Sequence, residues 1–356
     1  MYTYRAYAIL SAMATDTPDT ALKSPPATAL QPVPSLKPTE NPAPVTPWHE
    51  LAAGVASLIQ AAKAPNTLRA YRADWQHFSA WCGAREVPAL PAAPETIAFY
   101  LADLAGQGRK PATLRRKLTA LGRAHEAQGF SSPASMRQAI VSETLKGIQR
   151  TAGVAQTQKE AVLTRDLKKV LAELPDDLSG WRDQTLLLVG FAGGLRRSEL
   201  CALDVEDVTQ SADGLVLTLD RSKTDQEGAG TTIGIPYGST TATCPVRTYQ
   251  SWLERSGIRT GPVFRGVDRF GRLQDKRLHP ASVARILKRA VERAGFDETR
   301  FAGHSLRAGF VTQAYLNDAS EFDIMRQTRH KSLTTMRRYI RDYTLFRKNA
   351  AAKLGL

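Results

Sequence analysis

The sequence predicts a mainly α-helical chain with a small β-sheet, an α+β fold in two folded regions. Three observations lead there. Apolar residues recur at helical three- and four-residue spacing through most of residues 48–152 and again beyond 161. Only two short segments, 215–219 and 231–235, read as strands. A length of 356 residues suits two compact domains at roughly 100–200 residues each.

Residues 1–47 hold nine of the chain's 20 prolines and balance three bases (Arg5, Lys23, Lys37) against three acids (Asp16, Asp19, Glu40). A Pro/Ala/Thr tract of this kind cannot bury a core, so a disordered or partly polyproline II tail is expected. From 48 to 152 the pattern is a helical bundle. Leu51, Val55, Leu58 and Ile59 share a helical stripe. Asn66 and Thr67 read as helix-start residues before Leu68, Tyr71, Trp75 and Phe78. Ile97, Leu101 and Leu104 mark a third helix after Pro94. Pro111 suits the first turn of a fourth, which carries Leu114, Leu118 and Leu121 together with Arg115, Arg116, Lys117 and Arg123. Loops at Gly106, Gly108 and Gly129 fit a compact bundle.

Across 153–160 the apolar periodicity lapses into Gly153, Gln156, Thr157, Gln158 and Lys159, an expected interdomain linker. The second region, 161–356, mixes helices with a few strands. Thr164 reads as the cap of a helix through Leu167, Val170 and Leu171. An apolar run over 185–191 ends at Gly193-Gly194, and residues 220–230 form a long hairpin between the two strands. Helices are expected over 246–253, 281–294, 306–315 and 322–328.

Charge and composition narrow the function. Lys and Arg number 48 against 34 Asp and Glu, a net charge of +14. Both folded regions are basic, which suits two domains gripping one polyanion, with nucleic acid as the leading candidate. No stretch approaches the ~20 apolar residues of a membrane span, and residues 1–13 lack a cleavable signal layout. Cys82, Cys201 and Cys244 are scattered and odd in number, so a reducing cytoplasm is expected rather than a disulfide framework. No zinc-site, dinucleotide or P-loop pattern occurs, so neither a metal nor a nucleotide cofactor is expected.

Five segments carry candidate chemistry: Gly194-Leu195-Arg196-Arg197-Ser198-Glu199-Leu200, Arg221-Ser222-Lys223-Thr224-Asp225, Gly303-His304-Ser305-Leu306-Arg307, Thr328-Arg329-His330-Lys331-Ser332 and Met336-Arg337-Arg338-Tyr339-Ile340. Each alone has an ordinary reading: a basic helix start, a solvated hairpin lysine, a structural His/Arg pair on one helix face, a satisfied histidine, a packed tyrosine. In this order they resemble the tyrosine recombinase (phage integrase) family, whose signature runs Arg, Lys, His-x-x-Arg, His/Trp, Tyr. Here the series is Arg196, Lys223, His304-x-x-Arg307, His330, Tyr339, with His330 23 residues after Arg307 and Tyr339 nine after His330. The resemblance covers about 48–350. It implies a helical core-binding domain followed by a tyrosine-recombinase catalytic domain. One departure is visible: Arg329 stands where the family usually has glycine, a position expected mainly to shape a turn.

The resemblance implies site-specific DNA cleavage and rejoining through a 3′-phosphotyrosyl intermediate, in integration, excision or resolution of DNA elements. The residue types fit that chemistry. Phosphodiester attack builds negative charge on the non-bridging oxygens, which two forked, permanently charged guanidiniums stabilise. Arg196 and Arg307 are those two by resemblance, with Glu199 supporting Arg196. Tyr339 is the nucleophile, and Tyr343, a few residues on, is a weaker rival. A phenol ordinarily titrates near ~10 and needs a base at neutral pH. His304 is the expected base, Lys223 the general acid, and His330 a partner of a phosphate oxygen. No metal and no cofactor are expected, because the arginines and lysine supply the positive charge.

The implied partner is double-stranded DNA with a specific core site. The implied assembly is a homotetramer on two sites, and residues 344–356 are expected to dock on a neighbouring subunit. Arg115, Arg116 and Lys117 are candidate DNA contacts. The alternatives are a non-catalytic DNA-binding protein of the same fold, which has no need of Tyr339 together with both arginines, and a monomeric topoisomerase-like nicking-closing enzyme.

Overall fold

The computed structural model describes residues 47, 50, 51, 54, 55, 57, 58, 64–153, 158–219, 230–340, 343, 351 and 354. The chain divides into two compact units, residues 1–156 and 157–356. The architecture is mainly helical, as predicted, with a second small sheet beside the expected one.

The first unit holds α1 (Pro65–Gly83), α2 (Pro94–Gly106), α3 (Pro111–Ala127) and α4 (Ala139–Ala152). A proline opens each of the first three, at a position whose missing N–H has no helical partner to lose. Helix α1 packs on α3 and α2 on α4. Phe78, Ile97, Tyr100, Leu101, Leu104 and Leu114 fill the core between them.

Three details differ from the sequence reading. Helix α1 begins one residue before Asn66 and is capped by the backbone of Ala64 without a side-chain bond; Asn66 instead accepts from Arg69. The described members of the upstream stripe, Leu51, Val55 and Leu58, are helical but exposed, so they add nothing to this core. Helix α4 was not foreseen. Its buried Val141, Leu145 and Ile148 recur at i, i+4 and i+7, but Ser, Glu and Lys between them dilute the signal.

The second unit is built around α6 (Leu178–Ala192), which follows the short α5 (Thr164–Ala172). Residues 185–190 of α6 are buried throughout, which is why they read as an uninterrupted apolar run. Asp177 caps α6 by accepting from the Gly180 N–H at 2.8 Å. Thr164 is the first residue of α5, and the cap is Leu163. After α7 (Arg197–Ala202) comes an antiparallel sheet of β1 (Val208–Gln210), β2 (Gly214–Leu219) and β3 (Thr231–Pro236), in that order. Leu217 pairs with Ile233 and Leu215 with Ile235, so their apolar side chains share the core face.

Helix α8 (Pro245–Ser256) packs on α6, with Trp252 fully buried and its indole N–H on the Val263 carbonyl. A two-stranded sheet of β4 (Arg265–Val267) and β5 (Leu273–Arg277) leads to α9 (Pro280–Arg293). Strands β1, β4 and β5 are too short and too polar to read from the sequence. Helices α10 (Ser305–Leu316), α11 (Glu321–Thr328) and α12 (Leu333–Arg337) close the unit. α10 packs on both α6 and α11.

Candidate active site

The site forms where α6 ends. Gly193 and Gly194 turn the chain so that Arg196 becomes the N-cap of α7. Gly194 has φ +54, and a Cβ there would press on Thr328 at 3.0 Å and Phe310 at 3.2 Å, so both conformation and space select glycine. Glu199 lies in the first turn of α7. Its carboxylate accepts from the Arg196 backbone N–H at 2.8 Å and from the Arg196 guanidinium at 2.5 Å. Gly303, just before α10, packs against the Arg197 side chain; a Cβ would come within 2.1 Å of it.

Arg307 reaches the same place from α10. It is buried, and its guanidinium donates to the Gly194 carbonyl at 2.6 Å and to the Thr328 carbonyl. One guanidinium thus ties the α6–α7 turn to the end of α11. His330 follows that end, with its Nε2 3.4 Å from Arg307 Nη2 and its Nδ1 2.7 Å from Thr328 Oγ1. The Thr328 hydroxyl donates to the Ile324 carbonyl at 2.6 Å. It therefore accepts from His330 Nδ1–H, which leaves Nε2 as the acceptor toward Arg307. Tyr339 stands beside this histidine, ring centroids 5.6 Å apart. The Thr312 hydroxyl on α10 holds the Tyr339 carbonyl at 2.9 Å, and Val311, Ile324, Met336 and Ile340 form the apolar floor beneath.

The structure adds Arg329. It adopts φ +58 and so shapes the turn after α11, but its side chain does more than that expectation allowed. It folds inward and donates to Glu199 Oε2 at 2.7 Å, with only 7 % of the side chain exposed. Nothing local in the sequence marks this contact, because Glu199 lies 130 residues away.

The electrostatics follow from burial and from three neighbouring guanidiniums. Burial and the positive charges of Arg196 and Arg329 push Arg307 down to about 9, still cationic at neutral pH. Burial, Arg307, Arg196 and Arg329 push His330 down to about 4, so the ring is neutral. Burial pushes Glu199 up, but Arg329 and the hydrogen bonds and charge of Arg196 outweigh it and hold the carboxyl below its usual range.

Other sequence candidates fall elsewhere. His304 is exposed at the N-cap of α10, one turn before Arg307, and its carbonyl accepts from Ala308 N–H at 2.9 Å. Tyr343 follows the site segment, its N–H on the Ile340 carbonyl at 3.2 Å. Lys223 with its hairpin, the tail before Pro47 and most of 344–356 lie outside the described residues. Arg115 is exposed and bonds Gln149 at 3.2 Å. Arg116 and Lys117 both pair with buried Asp74 on α1. Lys117 is itself buried and ties α3 to α1. Among the described residues no group of three or more His, Cys, Asp or Glu side chains is placed to hold a metal ion.

Arginines converging on a tyrosine and a neutral histidine form an arrangement that can stabilise a phosphoryl transition state. The phage integrase family model matches residues 161–345. The integrase/recombinase xerD homolog of Selenomonas ruminantium is 42% identical over 301 residues, 83% of this chain and 87% of that one. Tyrosine recombinase XerC of Syntrophus aciditrophicus is 28% identical over 247 residues, 68% and 74% of the two chains. Among solved structures, a XerH site-specific recombinase bound to palindromic difH substrate in a post-cleavage complex aligns with TM-score 0.61 at 16% identity. It covers 85% of this chain and 82% of that one. A lambda integrase dimer bound to a COC′ core site aligns with TM-score 0.53 at 18% identity, over 82% and 76%; both likenesses are of fold. The chain belongs to the phage integrase family, the tyrosine-type site-specific recombinases.

Proposed function

We propose that this protein cleaves and rejoins double-stranded DNA at a specific core site, with Tyr339 as the nucleophile. The observation that carries the reading is the convergence of Arg196, Arg307 and neutral His330 beside Tyr339. The Tyr339 Oη–phosphorus bond forms as the bond from phosphorus to the 5′-oxygen breaks. The leaving 5′-oxygen takes a proton, for which Lys223 is the candidate donor, and His304 is the candidate acceptor of the phenol proton. Arg196 and Arg307 offset the charge that grows on the non-bridging oxygens.

His330 contributes a hydrogen bond rather than a charge. In the other neutral tautomer, reached by losing the Nδ1 proton to water and taking one from water at Nε2, Nδ1 accepts from the Thr328 hydroxyl and Nε2–H donates to a phosphate oxygen. A 5′-hydroxyl attacking the phosphotyrosine then reseals the strand and frees Tyr339. The ester conserves the backbone bond energy, so no nucleotide is consumed. Exchange between two duplexes requires four cuts, hence four protomers on two sites, working in the cytoplasm.

The test is covalent capture. Nicked duplexes tiled across the gene's own flanks are mixed with wild type, Tyr339→Phe and Tyr343→Phe and run on a denaturing gel. A DNA-linked band is expected for wild type and Tyr343→Phe and none for Tyr339→Phe. A duplex that binds specifically yet gives no band with wild type overturns the reading in favour of a DNA-binding protein without cleavage. A band that survives Tyr339→Phe moves the nucleophile.

A further inference from the structure

Arg329 occupies an expensive position. Its φ of +58 is one that glycine adopts freely and other residues adopt at a cost. Its side chain is more than nine-tenths buried, and its Nε–H has no hydrogen-bond partner among the described residues. A buried donor left unpaired is itself unfavourable. The surrounding charges do not relieve it: among the described residues, Arg196, Arg307 and Arg329 face a single carboxylate, Glu199. Such an excess of buried positive charge is unfavourable until an anion arrives. The turn itself does not require this side chain, since glycine adopts the same backbone conformation freely.

The contacts say what the side chain does. Glu199 Oε1 holds the Arg196 guanidinium, and Oε2 takes both the Arg196 backbone N–H and Arg329 Nη2. Arg329 is anchored in turn by the Gln327 carbonyl at 3.0 Å. The carboxylate is therefore held from two sides and cannot rotate away from Arg196. One carboxylate shared between two guanidiniums also neutralises neither of them. A lone Glu199–Arg196 pair, by contrast, would cancel the charge that Arg196 presents to an anion.

We infer that Arg329 is a positioning residue for strand cleavage, sharing Glu199 with Arg196 so that the Arg196 guanidinium stays fixed and keeps net positive charge for the scissile phosphate. The inference rests on the phosphotyrosyl reading above. It assigns to this chain a third guanidinium that acts from behind the phosphate-facing pair.

Glycine makes the test clean, because Arg329→Gly removes the side chain while relaxing the backbone. Arg329→Asn, which also tolerates this backbone region, repeats it with a different side chain. The probe is the nicked duplex on which wild type accumulates the most covalent complex. Single-turnover rates of covalent-complex formation are measured for wild type, both Arg329 variants, Glu199→Gln and Arg329→Gly/Glu199→Gln, with duplex affinity and thermal melting alongside.

Both Arg329 variants are expected to slow the covalent step about 10- to 100-fold, about 1.4–2.7 kcal/mol, with duplex affinity and melting little changed. In the Glu199→Gln background the same change is expected to cost much less, because the shared carboxylate is the link. The acid limb of the rate profile is also expected to move toward neutral pH. Arg307, Arg196 and Arg329 oppose protonation of His330 while Glu199 favours it, with Tyr339 alongside, so losing one cation eases protonation.

Wild-type rates in both Arg329 variants overturn the inference. So does an undiminished loss in the Glu199→Gln background, which would make Arg329 independent of Glu199. Binding of every probe by wild type with no covalent product would fell the phosphotyrosyl reading and this inference together; a rate loss confined to the variants leaves the parent reading standing.

Discussion

His330 is held neutral by burial and by three guanidiniums, and that makes it a source of acid instability. Its folded pKa lies at about 4 against an ordinary 6.5. Between those values the unfolded chain binds a proton that the folded chain refuses, so stability falls as pH drops below 6.5. Glu199, held below its ordinary 4.5, adds its own loss only at lower pH. From pH 6.5 to 5 the His330 contribution amounts to about 1.5 kcal/mol, since the slope reaches its full value of about 1.4 kcal/mol per unit only once the unfolded ring is fully protonated. His77 and His125 are also shifted down, mainly by burial, so the wild-type curve alone does not isolate the site. The decisive measurement is the difference in thermal stability between wild type and His330→Gln across that range. The gap is expected to narrow or reverse in favour of the variant as pH falls; a constant gap would mean that His330 titrates normally. The sequence offered His330 as a candidate by its spacing, but its neutrality depends on burial and on Arg307 and Arg196, which reach it through the fold.

At the scale of elements, the tie between α1 and α3 shows how a charge run misleads. Arg115, Arg116 and Lys117 are adjacent, so on a helix they point in different directions. Arg115 stays exposed, whereas Lys117 turns into the bundle onto Asp74 at 3.1 Å. Asp74→Ala leaves that ammonium buried and unpaired, with an expected loss of about 3–5 kcal/mol. Lys117→Met is expected to cost far less, and urea unfolding of the two variants checks the order. The same contrast extends to DNA. Arg115→Ala is expected to reduce the log–log salt slope of duplex binding by about one, and Lys117→Met to leave it unchanged. Equal slopes in all three proteins would remove Arg115 from the interface. Helix α4 and strands β1, β4 and β5 escaped sequence reading for a related reason: their apolar positions are few, and tertiary partners supply the burial that defines them.

For the whole molecule, two basic compact units joined near residue 156 suit a protein that holds one duplex with both. After trimming of the expected N-terminal tail, limited digestion with a nonspecific protease is expected to cut within 153–160 and release two resistant fragments. Early cuts inside α2 or α6 instead would deny the two-domain organisation. The sequence by itself determined the helical class and the order and spacing of Arg196, His304, Arg307, His330 and Tyr339, because periodicity and motif spacing are local properties of a chain. Only the tertiary structure decided that Glu199 serves two arginines, that Arg329 faces inward and that Lys117 is a buried tie. Each of those depends on which distant segment lies opposite, and burial then turns a surface charge into either a partner or a penalty.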